Sequence, residues 1–262
     1  IASAIETAEN KVGAHIKEVY VGVPGEFVRV YVIESSVTLQ GADPKVTSAD
    51  VEKLQRQATE MLDRPTGVII HRSPAWFMVD GGKKTLEPVG MKGAELKALV
   101  SFVVADTFFL DDVMARLHDM NITVSGFFSS CTGEAMLYLL EEERDRTAIL
   151  IDVGYLCTDV MAVEGDALIF HKCIDIGGGH IAADLSEALD ISFKNAEEKI
   201  KQPFVYSKSV TPETYEIPAV NDQPARTFTR DEVAPIITAR VDEIAAEIKK
   251  ALEESGVKLP NW

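Results

Sequence analysis

The residues whose types and spacing could do chemistry lie between Thr147 and His180, in the stretch TAILIDVGYLCTDVMAVEGDALIFHKCIDIGGGH. Asp152 closes an apolar run, Gly154 opens a turn, and Gly177, Gly178 and Gly179 precede a helical pattern. An Asp at a strand end can hold a magnesium ion through water. Glycines let backbone N–H groups approach an anion closely, and a helix N-terminus carries partial positive charge. Three short β runs, an acidic residue at the first turn and glycines opening a helix therefore spell a phosphate cradle. The plainer alternative is a hairpin with a glycine-rich helix start. A second constellation is Glu197 and Lys201, four apart on one helix face, where Glu198 is an alternative partner. Its bland form is a solvated ion pair worth a few tenths of a kcal/mol. Other chemistry is not spelled: there is no nucleophile elbow, no Cys-x-x-Cys and no His-Glu-x-x-His. Of five scattered histidines, only His180 stands beside the glycines.

The elements that must position these residues alternate between β and α patterns. Glu164-Gly165-Asp166 is a tight-turn signal between two apolar runs. Upstream, Ile1, Ile5, Ala8, Val12 and Ile16 predict an amphipathic helix ending near His15. Strands are expected at Glu18–Val23, from Phe27 to about Leu39, at Gly67–Val79 and at Ala94–Ala105, with Pro74 marking an edge or a bulge. Thr47 with Asp50 is a helix-start signal for the face carrying Val51, Leu54, Ala58 and Met61. Helices are expected over Phe109–Met120, Thr132–Glu142 and Phe193–Lys201, with Leu139 and Leu140 inward on the second. Short β runs are expected around Tyr215 and Val220. The final helix runs from about Arg230 to Glu254, with its regular part beginning at or just before Pro235, since an interior proline costs about 3 kcal/mol.

Composition limits the function classes. The net charge of −16 argues against nucleic acid and against direct adhesion to anionic lipid. No apolar run approaches the roughly 20 residues of a membrane span. Cys131, Cys157 and Cys173 lack metal-ligand spacing in sequence, so reduced cytosolic thiols are expected. The chain opens inside a helical pattern and stops just after a long helix, as a fragment of something longer would.

Several segments together resemble the FtsA family, actin-like cell-division proteins. They are AIETAENKVGAHIKEVYVGVPG, the stretch from Asp80-Gly81-Gly82 to EPVGMKGAEL, the glycine-turn region and NAEEKIK, with Pro88 to Met91 fairly specific. The resemblance implies an α/β, actin-like (ribonuclease H-like) two-lobed ATPase fold with an inserted α/β subdomain. It divides the chain into 1–25 and 107–146 for the lobe-one core, 26–106 for the insert, 147–194 for the lobe-two core, and 195–262 for its outer subdomain and final helix. The family's first phosphate loop is expected before Ile1, and its second adenosine glycine motif and membrane-binding helix beyond Trp262.

The resemblance also implies cofactors, partners and roles. ATP and magnesium would be held by Asp152, Gly154, Tyr155, Leu156, Cys157, Thr158, Gly178 and Gly179, with Asp152 on the metal and Glu197 or Glu198 with Lys201 toward the nucleoside. ATPase activity would be weak at most. Tyr155 and Leu156 replace two glycines of the family's loop, which predicts an altered loop path because a Cβ restricts positive φ. Arg240, beside Ile236 and Ile237, would hold the FtsZ C-terminal peptide. Further implications are self-association into filaments, recruitment of other divisome proteins through 26–106, and no nucleic-acid partner. The protein would be cytoplasmic, peripheral on the inner face of the cell membrane at the division site, reaching it only through a helix outside this chain. The alternatives are a related actin-like pilus-assembly ATPase without FtsZ, and a nucleotide-free binding module.

Overall fold

The computed structural model describes residues 1–63, 65–207, 212–219 and 224–257. Along the chain, α1 (Ala2–Val12), β1 (Glu18–Val23), β2 (Val28–Thr38), α2 (Ser48–Met61), β3 (Val68–Val79) and β4 (Glu95–Ala105) come first. Then follow α3 (Thr107–His118), β5 (Thr123–Ser129), α4 (Ser130–Tyr138), α5 (Glu141–Arg144), β6 (Ala148–Val153), β7 (Thr158–Glu164) and β8 (Ala167–Ile174). The last described elements are α6 (Gly178–Leu189), α7 (Phe193–Asn195), a π-helical turn Ala196–Lys201, β9 (Thr214–Ile217), β10 (Arg226–Thr229) and α8 (Arg230–Glu254). The fold is mixed α/β and actin-like. It divides into two compact units, one built on Ile1–Leu150 with Met161–Lys172, the other on Ile151–Val160 with Cys173–Gly256.

In the first unit, β2, β4 and β3 form an antiparallel sheet in that order, made wholly from residues 28–105 and separate from the β6-β7-β8 sheet. Helix α2 lies over it because Thr47 starts it and its apolar face must be covered. Thr47 Oγ1 accepts from the Asp50 N–H at 3.3 Å, and Asp50 Oδ2 accepts from the Thr47 N–H at 2.9 Å. Leu54 and Ala58 are fully buried against Phe77, Leu96, Ala98, Val100 and Phe102. Burying a side chain such as Leu54 is worth about 1.5–3 kcal/mol. Pro74 sits on edge strand β3, where the register slips between Pro74 and Trp76. β1 and β5 pair in parallel, and the expected Glu164–Asp166 turn joins β7 to β8 through Gly165 at φ 56°.

The second unit buries Ala182 and Leu185 of α6, Ala196 and Ile200 of the π turn, Tyr215, Ile217 and Phe228 of the β9–β10 hairpin, and Val233 and Ile237 of α8.

Four expectations need correction. Helix α1 stops at Val12, because Gly13 takes a left-handed conformation (φ 68°) and returns its N–H to Glu9 O. The stretch expected as one helix over 132–142 is two helices, and Leu140 between them is 67% exposed rather than inward. The helix expected over 193–201 is α-helical for only Phe193–Asn195 and π-helical thereafter. Helix α8 begins regularly at Arg230, five residues before Pro235, because Thr229 and Glu232 form a capping box there. The β run expected around Val220 lies outside the described residues. No helix among the described residues is long and apolar enough to cross a membrane.

Candidate functional site

The site is assembled within the second unit, where the turn after β6 meets the start of α6. The Gly178 N–H donates to Gly154 O at 2.8 Å, and the Gly179 N–H donates to Tyr155 O at 2.7 Å. The turn's carbonyls thus satisfy helix-start donors that otherwise have no partner within the helix. A Cβ at Gly177 would lie 2.6 Å from Gly154 O and 2.7 Å from Tyr155 C, and one at Gly179 would lie 2.7 Å from Tyr155 Cε1. Backbone cannot rotate away from the first clash, so close approach demands glycine there. His180 completes the helix start, its Nδ1 accepting from the Gly177 N–H at 3.1 Å.

The same geometry answers how the turn holds two side chains where glycines were expected. Among the described residues, the non-glycine positions with positive φ are Asp80, Asn121 and Asp190. Tyr155 and Leu156 therefore need no left-handed backbone, and their Cβ atoms impose no strain of that kind. Thr158 is fully buried and its hydroxyl donates to Ile176 O at 2.7 Å, tying the far side of the turn to the segment between β8 and the glycines.

Tyr155 faces Glu197 and Lys201. The Tyr155 hydroxyl donates to Glu197 Oε2 at 3.1 Å, and Lys201 Nζ lies 3.0 Å from each Glu197 oxygen. Lys201 Nζ also stands 4.7 Å from the centroid of the Tyr155 ring, a cation–π contact. Burial pushes the Glu197 carboxyl up, but the hydrogen bond and charge of Lys201 and the bond from Tyr155 outweigh it and hold the group below its ordinary value. Partial desolvation, then the Glu197 hydrogen bond, raises the Tyr155 phenol. The π-helical turn sets this geometry: the Gln202 N–H reaches back five residues to Glu197 O at 3.0 Å. Gln202 Nε2 makes a long contact of 3.5 Å to Glu197 Oε1.

Of the two acidic residues open in sequence, Glu197 belongs to this cluster. Glu198 points away and lies 4.0 Å from Lys194. Asp152, near the end of β6, is exposed, as is Leu156, while Cys157 is half-buried.

Arg240 forms a different cluster. Its Nε and Nη2 donate to Asp184 at 2.7 and 2.8 Å, and its Nη1 donates to Glu243 at 2.6 Å. The side chain is only 20% exposed, and the hydrogen bond to Asp184 raises its pKa further. Ile237 is 4% exposed and belongs to the core with Val233, while Ile236 is half-buried against it. Ile237 is thus committed to the unit's interior and is not offered to a peptide, a correction to its expected role. Asp184 was not singled out in sequence, since nothing local links residues 56 apart; the i, i+3 spacing of Glu243 could have been.

The family model described as "Cell division protein FtsA" matches residues 149–261, and the one described as "SHS2 domain inserted in FTSA" matches residues 25–104. Curated relatives include "Cell division protein FtsA" of Streptococcus pneumoniae, 28% identical over 97% of this chain and 56% of its own length. That of Pseudomonas aeruginosa is 26% identical over 98% of this chain and 61% of its own. The chain thus spans less than two thirds of these relatives. Among solved structures, the "PilM-PilN type IV pilus biogenesis complex" matches 98% of this chain and 64% of the compared chain, at a TM-score of 0.59 and 16% identity, a likeness of fold. With both family models matching in order along its length, the chain belongs to the FtsA family of cell-division proteins.

Proposed function

We propose that this protein is a cell-division adaptor that binds ATP with magnesium, self-assembles into filaments and links FtsZ to the inner face of the cell membrane. The observation that carries the nucleotide reading is the Tyr155–Glu197–Lys201 cluster beside the glycine-dependent turn, within the residues that match the FtsA model. Gly178 and Gly179 serve the site by clamping the turn, since their N–H groups are already used there. Gly154, Tyr155, Leu156, Cys157 and Thr158 form the phosphate side, and the exposed Asp152 carboxylate suits magnesium held through water. Glu197 has its acceptor sites engaged, so a ribose hydroxyl would replace its weakest contact, the 3.5 Å one from Gln202. Bound magnesium would supply neutralisation of phosphate charge. The segment 26–106 is assigned to contacts with other divisome proteins, and 107–146 with 1–25 to the same lobe of the fold.

A second reading, a binding module without nucleotide, has one observation in its favour: the helix-start donors of Gly178 and Gly179 are filled by the protein's own carbonyls. Titrating the chain with a fluorescent ATP analogue, with and without magnesium, separates the two. Magnesium-dependent binding weakened by Asp152→Ala and by Lys201→Met supports the nucleotide site. No binding by wild type supports the module, and equal binding by all three proteins rejects the site.

The FtsZ assignment rests on Arg240, whose Nη1 is aimed at the half-exposed Glu243. A peptide carboxylate would exchange with Glu243 while Asp184 keeps the guanidinium oriented. Fluorescence anisotropy with a synthetic FtsZ C-terminal peptide tests this. Tighter binding by Glu243→Gln and loss of binding by Arg240→Met are expected. Unchanged affinity in both variants leaves Arg240 a structural residue and removes it from the partner surface.

A further inference from the structure

The end of the same turn holds a second group of potential ligands; it shares Cys157 with the proposed phosphate side but uses its thiol, which the phosphate reading leaves without a role. Cys157, Asp159 and Cys173 bring two sulfurs and a carboxylate oxygen within 4.8 Å of one another, all inside the second unit. The residues come from the turn, from β7 and from β8. No disulfide joins the cysteines. Cys157 and Cys173 are both half-buried, so a small ion can reach them while the site stays partly shielded from water.

From this geometry we propose that Cys157, Asp159 and Cys173 form a binding site for a thiophilic divalent cation of the zinc class, with water as fourth ligand. In a tetrahedral zinc site, Zn–S bonds of about 2.3 Å place two sulfurs roughly 3.8 Å apart, and a carboxylate oxygen somewhat closer. Three donors already within 4.8 Å of one another need only small side-chain adjustments to close on an ion. Two thiolates and a carboxylate select zinc over magnesium, because soft sulfur donors discriminate against hard cations. Burial first, and then the neighbouring Asp159 charge and Cys157, push the Cys173 thiol up. A thiol that ligates a metal gives up its proton to solvent. No electron transfer is involved: each sulfur binds the cation as a thiolate, and any proton it carried leaves to solvent as the cation enters. The ion would fasten the end of the Gly154–Cys157 turn to β8. The geometric argument for this site does not require that the turn bind nucleotide, although the two readings share Cys157.

Cobalt(II) titration of the whole chain under reducing conditions tests the proposal, since cobalt reports thiolate ligation by a sulfur-to-metal charge-transfer band and zinc displaces it. The band is expected in wild type and in Cys131→Ser. It should be lost in Cys157→Ser and in Cys173→Ser. Asp159→Asn should weaken cobalt binding by at least the roughly ten-fold that even an outer-shell partner is worth. Zinc should protect two of the three cysteines from a thiol reagent in wild type. Circular dichroism of each variant separates loss of ligation from loss of fold, and thiol protection in wild type needs no variant at all. Absence of both the band and the protection overturns the proposal, as does a band that survives in the Cys157→Ser/Cys173→Ser double variant.

Discussion

The second unit contains two ion clusters that look alike on paper and differ in what they can do. At the turn, one ammonium (Lys201) is matched by one carboxylate (Glu197) and a phenol (Tyr155). Between α6 and α8, one guanidinium (Arg240) is matched by two carboxylates, Asp184 and Glu243. The first is electrically balanced and the second carries a net negative charge. An anion approaching the first meets a cation held by a single carboxylate and an aromatic ring; at the second it must evict one of two carboxylates first. Proximity of a basic residue to a surface is therefore a poor guide to anion binding unless the acids around it are counted.

Four measurements would sharpen or break this contrast, the largest effect first. Gly177→Ala places a Cβ against backbone of the turn, 2.6 Å from Gly154 O. Overpacking of this kind costs about 1–3 kcal/mol, seen as a lower urea midpoint, and the change should also weaken any ligand held by the turn. A neutral result would mean that the turn shifts freely and that the glycines do not define it. Arg240→Met leaves Asp184 partly buried without its partner. A loss of about 1.5 kcal/mol is expected by denaturation, in line with charge-assisted hydrogen bonds that are only partly screened. If stability were unchanged, Arg240 would not be the link between α6 and α8.

The third measurement uses pH. The Glu197 carboxyl has a folded-state pKa below its ordinary value of 4.5. Its contribution to stability is fully present above about that value and is lost as pH falls through the lower folded-state pKa, because the unfolded chain takes up the proton first. Glu197→Gln should flatten the stability profile below about pH 4.5 and leave it unchanged near neutrality in slope. An identical acid limb in wild type and variant would remove Glu197 from the balanced cluster. The smallest effect is Glu198→Ala. Glu198 is exposed and 4.0 Å from Lys194, so the change should stay within about 0.5 kcal/mol and leave nucleotide affinity alone. A large effect on affinity would reopen the choice between Glu197 and Glu198.

What could be read from the sequence was local. Thr47 with Asp50, the Gly165 turn and Pro74 at an edge each act through residues a few positions away, and each carries a composition signal. Thr229 with Glu232 carries the same signal as Thr47 with Asp50. Proline chemistry at Pro235 drew the helix start too far downstream, although a proline near the start removes only one internal donor. The glycines at 177–179 were legible as places of close approach, but not what approaches: carbonyls from 154 and 155. The Arg240–Asp184 pair was invisible because two helices must first pack to bring the residues together.

The π-helical turn at Ala196–Lys201 has a consequence for length rather than composition. A π turn is an α turn carrying one surplus residue, and each residue advances a helix by about 100°. Deleting one residue between Glu197 and Lys201 would restore ordinary helical bonding without removing Glu197, Lys201 or Tyr155. It would also swing the ammonium about a quarter-turn or more around the axis, away from the Tyr155 ring. The alignment of Lys201 with Tyr155 is thus stored as a single insertion, and a one-codon deletion would erase it while every participating side chain remained in the chain.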